Sequence, residues 1–263
     1  MASRIITITT DFGLVDSYVA EMKGVILSIN PDARLIDMSH ELEPHNVMAA
    51  AVFLERACAH FPPGTVHMAV VDPGVGTSRR ALCVKTDRNV YIAPDNGLLT
   101  LVLEHEKPWR AVELTNTRYH YARRAGSTFH GRDIFAPVAA HISLGLDIDS
   151  LGEPADSIVQ LDVPRVTEPI PGHIEGSVVS VDRFGNLITN ISRDRLPDDL
   201  SRIIVEIAGV RIHGISVTYG EKEPGDMLVL LGSDNCLEIS VNRGNAAARF
   251  GTGVGSRVNV RVE

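Results

Sequence analysis

Residues 65–80, TVHMAVVDPGVGTSRR, join an apolar run to a pair of arginines through a polar turn. The first seven residues are largely β-branched and apolar, as expected of a buried strand. The turn holds Asp72, one proline and two glycines, and Arg79 follows the aspartate by seven residues. In an open α/β sheet, ligands bind beyond the carboxyl ends of the strands. The stretch therefore predicts an α/β fold with Asp72 and Arg79 at its binding edge.

The sequence on either side of this stretch, up to about residue 160, alternates β-branched runs with longer amphipathic segments. Strands are predicted at RIITITT, RLIDMS, TVHMAVV, ALCVKT, NVYIAP and RAVELT. Helices are predicted at DSYVAEMKGVILSIN, HNVMAAAVFLERACAHF, GLLTLVLEHE and DIFAPVAAHISLG. This alternation is typical of a mostly parallel sheet flanked by helices.

The pattern changes at residues 163–176, VPRVTEPIPGHIEG, which contain three prolines and two glycines. This composition favours a linker over a regular element. Beyond it, short alternating runs are separated by Gly, Asn and Asp turns, which is typical of an antiparallel β-barrel. We therefore predict an α/β domain over 1–163, a linker over 164–175 and a β-barrel domain over 176–263.

The amino-acid composition and net charge limit the classes of partner that this protein is expected to bind. With 263 residues, 44% of them hydrophobic, the chain can bury a sizeable core. The net charge is -8 and no stretch concentrates Lys and Arg, so we expect no nucleic-acid partner. No stretch approaches the roughly 20 apolar residues that span a bilayer, so we expect no membrane partner. Cys58, Cys83 and Cys236 form no CxxC pair, which argues against disulfides and a cysteine zinc site and favours a soluble cytoplasmic protein.

Four polar turns carry the candidate site residues: TTDFG (9–13), VVDPGVGTSRR (70–80), IAPDNGLLT (92–100) and TFHGRDIF (128–135). We expect these turns to bring one set of polar side chains to a single cleft: Asp11, Asp72, Arg79, Asp95, Asn96 and His130. Each has a structural alternative. Asp11 and Asp95 could close Asx turns. Asp72 and Arg79 could form an ion pair that braces a loop, and His130 could be structural.

A second cluster of possible ligands lies in IDMSHELEPHN, residues 36–46. Its Asp37, His40, Glu43 and His45 could suggest a metal site. Their spacing matches no helical or zinc-type ligand pattern, so we expect no metal here.

Several of these motifs occur in a fixed order across nearly the whole chain: TTDFG followed by DSYVAEMKG, VVDPGVGTSRR, APDNGLLT, TFHGRDIFAPVAA, VDRFGNLITNI and GSDNCLEISVNRGNAA. In this order they resemble the S-adenosylmethionine hydroxide adenosyltransferases, adenosine-forming hydrolases related to the fluorinases and chlorinases. Six motifs in register are far more specific than any one of them. The resemblance implies an N-terminal α/β domain, a C-terminal β-barrel and a homotrimer with its sites between subunits.

The resemblance also implies roles for individual residues. In the hydrolase branch an Asp, an Arg seven residues on and a distant His position and activate water, and these match Asp72, Arg79 and His130. The carboxylate that holds the ribose hydroxyls matches Asp11. The scheme yields adenosine and L-methionine and needs no metal or redox cofactor.

Further substrate-binding residues are implied in the same way, and most of them belong to the barrel. Asp182, Phe184 and Asn186 of VDRFGN match positions that contact the methionine portion and the adenine end in relatives. The last motif adds two more candidates, and the IAPDNGLLT turn adds one: Ser233, Glu238 and Asn96. Asp234 stands where halogenating relatives carry an arginine, so that contact is not implied here.

Three alternatives stay open at this point. A halogenase of the same family would need halide, and it would lack the Asp, Arg and His set. A non-catalytic sensor would use the same ribose and adenine contacts without turnover. A metal-dependent hydrolase built on Asp37, His40, His45 and Asp72 would lose activity with a chelator.

Overall fold

The computed structural model describes residues 4–121 and 128–262. The chain divides into two compact units, Met1–Leu161 and Asp162–Glu263, here called the N-terminal and C-terminal units. Within the described residues, every helix falls short of the length and apolar character needed to cross a bilayer.

Over its described residues, the N-terminal unit contains a six-stranded sheet and four α-helices. Its elements are β1 Ile5–Thr10, α1 Tyr18–Ile29, β2 Arg34–Ser39, α2 Val47–Cys58, β3 Val66–Val70, β4 Ala81–Thr86, β5 Val90–Pro94, α3 Thr100–His105, β6 Trp109–Glu113, a π-helical turn Gly131–Phe135, and α4 Ala136–Ser143. The strand order is β2-β1-β3-β5-β4-β6. The first three pairings are parallel, and β4 runs antiparallel to both neighbours. The predicted α/β fold with a mostly parallel sheet is confirmed.

Helices cover both faces of this sheet, so its central strand β3 is buried along its whole length. Every residue of β3 is buried. Alternate residues of a strand point to opposite faces, so Met68 packs in the core shared with α1 and α4, whereas Ala69 packs in the core shared with α2 and α3. A strand with two covered faces carries a nearly continuous apolar run, and the one polar side chain of β3, His67, has its Nδ1 2.8 Å from Thr7 Oγ.

The C-terminal unit is an antiparallel sheet that curls on itself. Its elements are β7 Thr167–Ile170, β8 His173–Val181, β9 Leu187–Ser192, β10 Ile203–Ile207, β11 Val210–His213, β12 Met227–Leu231, β13 Cys236–Val241, α5 Ala246–Phe250 and β14 Arg257–Val262. The strand order is β11-β10-β14-β8-β9-β13-β12, with β7 paired to β8. The end strands β11 and β12 contact each other, so the sheet forms a nearly closed barrel around one apolar core. The predicted β-barrel is confirmed.

The segment 164–175 differs from the linker expected there, because it holds β7 and the start of β8. Pro169 lies within β7, whose one partner among the described strands is β8, so β7 is an edge strand. An edge strand tolerates proline because its outward side needs no N–H donor. Gly172, at φ +77°, forms the turn between the two strands. The prolines and glycine thus mark a hairpin here, and the domain boundaries stay a prediction.

Candidate active site

The turn between β3 and β4 holds a buried ion pair. Arg79 Nε donates to Asp72 Oδ1 at 3.0 Å and to Oδ2 at 2.9 Å, and Arg79 Nη2 also donates to Oδ2. The two side chains are only 9% and 4% exposed. Thr77 Oγ accepts from the Arg79 N–H and donates to the Gly74 carbonyl, which keeps the turn compact. A buried charge pair of this kind is stable only when both partners stay in place.

His130 completes this group from a distant part of the chain. It directly precedes the π-helical turn Gly131–Phe135, and its Nδ1 lies 2.7 Å from Arg79 Nη2. Because a guanidinium can only donate, Nδ1 must accept, so the ring is neutral and carries its proton on Nε2. Burial, and then the charge of Arg79, lower the pKa of His130, with Asp72 acting in the opposite direction. We call Asp72, Arg79 and His130 the triad.

The hydrogen bonds of the triad determine which atoms can meet a further molecule. A carboxylate accepts about four hydrogen bonds, and Arg79 supplies three to Asp72, two of them to Oδ2. Asp72 Oδ1 therefore keeps acceptor capacity, and His130 Nε2 offers an N–H. Arg79 cannot act as a base, because guanidinium stays protonated. A water bound here can give a proton to the carboxylate while its oxygen accepts from the imidazole.

Asp11 follows β1 and is held by the loop that follows β2. Its Oδ2 accepts from the backbone N–H of His45 at 2.8 Å. His45 has φ +66°, a left-handed conformation that is uncommon for a residue with a side chain. The ring of Phe12 packs edge-on against Phe129, with centroids 6.0 Å apart. The neighbours of Asp11 and His130 in sequence are therefore in contact.

The metal ligands considered in residues 36–46 support this same loop. His40 Nδ1 lies 2.9 Å from Thr10 Oγ, and the Gly13 N–H donates to the His40 carbonyl. His40 Nε2 lies 3.0 Å from Asp37 Oδ1, a close contact without hydrogen-bond alignment. Asp37 Oδ2 in turn accepts from Lys23. These residues hold the turn that carries Asp11.

The IAPDNGLLT turn binds the backbone next to Asp72 and so stabilises the position of the triad. Asn96 Nδ2 donates to the carbonyl of Val71, the residue before Asp72, at 2.9 Å. Its Oδ1 accepts from the Leu98 N–H. The Asp95 carboxylate binds Arg80 at 2.6 Å, so its observed contacts are those of a structural residue.

The barrel residues form a separate group within the C-terminal unit. Asp182 Oδ1 accepts from the backbone N–H groups of Phe184 and Asn186, and Oδ2 accepts from Asn186 Nδ2. The Phe184 ring is 74% exposed. All three line an open groove of about 940 Å³ together with Ser233 and Glu238.

Two family descriptions match the chain. The SAM hydroxide adenosyltransferase N-terminal domain matches residues 6–152, and the SAM hydroxide adenosyltransferase C-terminal domain matches residues 176–259. The chain belongs to the SAM hydroxide adenosyltransferase family. The resemblance inferred from the six motifs is confirmed.

Individual relatives match this chain over nearly its whole length. Proteins named (R)-S-adenosyl-L-methionine hydrolase are 39% identical in Thermus thermophilus, over 95% of this chain and 97% of that one, and 40% identical in Salinispora tropica, over 97% of each. A fluorinase of Actinopolyspora mzabensis is more distant, at 29% identity over 97% and 96%. The crystal structure of an uncharacterized conserved protein from Thermotoga maritima superposes with a TM-score of 0.91 at 38% identity, covering 97% of this chain and 99% of that one.

Sequence reasoning missed several polar residues that line the groove of this family member, among them Tyr219. The Tyr219 hydroxyl donates to Glu238 Oε1 at 2.5 Å, and Ser240 Oγ donates to the same oxygen at 2.7 Å. Burial and the Glu238 carboxylate raise the pKa of Tyr219 to about 12, so the phenol stays protonated. Tyr219 begins a single 3₁₀ turn, Tyr219–Glu221, between β11 and β12, where no periodic pattern signals a role.

Proposed function

We propose that this chain hydrolyses S-adenosyl-L-methionine at C5′, giving adenosine and L-methionine. The observation that carries the proposal is the contact of one guanidinium with both a buried carboxylate and a neutral imidazole. Relatives 39% and 40% identical, matched over nearly their whole length, are named as hydrolases of this substrate, which supports the same assignment.

The reaction needs an activated nucleophile more than an activated leaving group. The sulfonium already provides a neutral thioether as the leaving group. In the proposed step a water oxygen bonds to C5′, the C5′–S bond breaks, and its electron pair stays on sulfur. The water must lose one proton as it attacks. General-base assistance of that loss contributes roughly 10²–10⁴-fold.

We assign the proton to Asp72. Its Oδ1 keeps acceptor capacity, whereas His130 Nδ1 is already occupied by Arg79. His130 Nε2–H then orients the water by donating to its oxygen. Arg79 binds Asp72 and His130 at the same time and so fixes their relative positions. The charge of Arg79 also favours the hydroxide character that develops on the water.

Substrate binding is proposed for the remaining residues. Asp11 suits the vicinal ribose hydroxyls, because a carboxylate only accepts hydrogen bonds. Asn96 would contribute next to the triad that it braces. The groove residues of the barrel are proposed for the methionine portion and the adenine end: Asp182, Phe184, Asn186, Ser233 and Glu238. Phe184, with its exposed ring, offers an apolar surface to the nucleoside.

We further propose a cytoplasmic homotrimer with sites shared between neighbouring subunits. The buried thiols of Cys58 and Cys83 are compatible with a reducing compartment. Closed rings with head-to-tail contacts place different surfaces of two subunits together. Asp72→Asn and Asn186→Ala, each inactive alone, should regain turnover when co-expressed, because some sites in mixed trimers join two intact halves. Mixed trimers, verified by native mass spectrometry with one tagged partner, that stay inactive would contradict the shared site.

The central experiment is incubation of the purified protein with S-adenosyl-L-methionine, followed by mass spectrometry of the nucleosides. Adenosine carrying ¹⁸O from labelled water is the expected product. A 5′-halo-5′-deoxyadenosine formed in the presence of halide would identify a halogenase instead. Binding without any product would identify a sensor, and loss of turnover with a chelator would indicate a metal-dependent route.

A further inference from the structure

Arg132, two residues beyond His130, is held by three groups. Its Nε donates to Asp133 Oδ1 at 2.7 Å and its Nη2 donates to Asp133 Oδ2 at 3.0 Å. Its Nη1 donates to Glu21 Oε2 of α1 at 2.9 Å. The guanidinium also lies 5.1 Å from the centre of the Phe129 ring. One side chain thus ties the π-helical turn to a neighbouring helix.

The backbone at this point also packs closely on α1. A Cβ atom at Gly131 would lie 2.7 Å from Met22 Sδ and 3.0 Å from the Phe129 ring, so only glycine fits without a shift. π-Helical turns inside α-helices are frequent at functional sites. His130 is therefore carried by a turn whose position depends on contacts with α1, and Arg132 makes the polar part of those contacts.

The charges that face His130 come from several elements. Asp72 and Arg79 lie on the turn after β3, Asp133 lies on the π-helical turn, and His120 lies after β6. Burial, Arg79 and His120 lower the pKa of His130, whereas Asp72 and Asp133 raise it. A protonated ring could not accept a hydrogen bond from Arg79. The hydrogen bond from Arg79 to His130 therefore requires that Asp72 and Asp133 do not raise the pKa of His130 so far that the ring stays protonated.

Asp133 is nearly completely buried, with 5% of its surface exposed. A buried carboxylate without a cation acts strongly on its neighbours, whereas a bidentate guanidinium pair has a much weaker external field. Arg132 provides that pairing.

We propose that Arg132 is a positioning residue for His130: by binding Asp133 and Glu21 it fixes the π-helical turn and screens the imidazole from the buried carboxylate. The role in hydrolysis rests on the function proposed above, because it acts through His130. The screening itself is a property of the folded chain and can be measured without substrate.

The test is an NMR titration of the histidine rings in the whole protein, with His130 assigned from the signal lost in His130→Gln. Arg132→Met should move the His130 midpoint to higher pH, because Asp133 is then unpaired. Asp133→Asn should move it to lower pH. The double variant should return towards wild type, since neither charge remains. Arg110→Met is a matched control, because Arg110 also binds two carboxylates, Asp147 and Asp149, and should leave the midpoint unchanged.

Midpoints that do not move in opposite directions in the two single variants would overturn the proposal. If Arg132→Met does not fold, the nearly isosteric Asp133→Asn still decides, since an unchanged midpoint there contradicts the screening. In turnover assays Arg132→Met should lower kcat at pH values where wild type is fully active and leave KM close to normal. If the wild-type protein forms no adenosine, the proposed function is wrong. The effect of Arg132 on the His130 midpoint, which NMR measures without substrate, is not affected by that outcome.

Discussion

Two consecutive arginines each hold a buried aspartate, and the two pairs have different surroundings. Arg79 binds Asp72 with side chains 9% and 4% exposed, and Arg80 binds Asp95 with side chains 33% and 4% exposed. The second pair is completed by backbone groups, since Arg80 Nη2 donates to the Ser157 carbonyl and Asp95 Oδ1 accepts from the N–H of Val159. The first pair has one backbone contact as well, from Arg79 Nη1 to the Arg80 carbonyl at 3.3 Å, and it is completed by the imidazole of His130.

The difference shows that a buried ion pair does not by itself mark an active site. Backbone amides and carbonyls do not change protonation near neutral pH, so the Arg80 pair fixes the end of the N-terminal unit and can do no acid–base chemistry. An imidazole adds a titratable group and an N–H that can donate to a ligand. The imidazole of His130 therefore distinguishes the pair proposed to be catalytic from the structural pair.

The largest effect is expected from comparing Asp72→Asn with Asp95→Asn. An amide cannot take the proton of the water, so Asp72→Asn should lower kcat by roughly 10²–10⁴-fold. Asp95→Asn should lower thermal stability and leave turnover of the folded protein near wild type. Adenosine formation and Tm measured on both variants provide the check, and equal losses of turnover would remove the distinction between the two pairs.

Arg79→Lys and Arg80→Lys compare the arginines themselves. A lysine keeps the charge but cannot hold a carboxylate and an imidazole in one planar fork. We expect Arg79→Lys to lower kcat on the order of 10²-fold, as when one preorganised donor is removed, with little change in KM. Arg80→Lys should affect stability more than rate. A near-normal kcat in Arg79→Lys would mean that charge alone suffices.

Asp11 is a third strand-end carboxylate, and it accepts from a backbone N–H at 2.8 Å. We expect Asp11→Ala to weaken adenosine binding by about 1–3 kcal/mol, the cost of leaving buried polar groups unpaired. Calorimetry with adenosine, which cannot react further, measures this separately from catalysis. Unchanged affinity would contradict the ribose assignment, and a loss confined to kcat would group Asp11 with the triad.

The smallest effect near neutral pH is expected from the titration of His130. Its pKa is lowered from the ordinary 6.5, so protonation should reduce kcat/KM only below that pH. Between the folded and unfolded pKa values the unfolded chain binds more protons, so stability should rise with pH across that window. His130→Gln should abolish this part of the dependence of Tm on pH. A limb of kcat/KM centred above 6.5 would contradict a neutral imidazole in the triad.

Much of the fold could be predicted because local patterns determine it. The nearly continuous apolar run of β3 predicts a strand covered on both faces, and the alternating runs after residue 176 predict an antiparallel barrel. At residues 164–175, where a linker was expected, the prolines and glycine belong to the hairpin of β7 and β8, which has the same composition as a linker. The amino-acid composition of a segment does not show whether a neighbouring strand is available to pair with it.

The sequence by itself determined the family, the α/β and β-barrel architecture and the identity of the triad residues, because these depend on motif order and short-range periodicity. Only the tertiary structure decided how the residues are used. Arg79 meets an imidazole 51 positions away, Asn96 braces the turn before Asp72, and Tyr219 binds Glu238 in the groove. The physical reason is that packing between elements distant in sequence determines which side chains come into contact. Hydrogen-bond direction, and with it the protonation state of His130, follows from those partners.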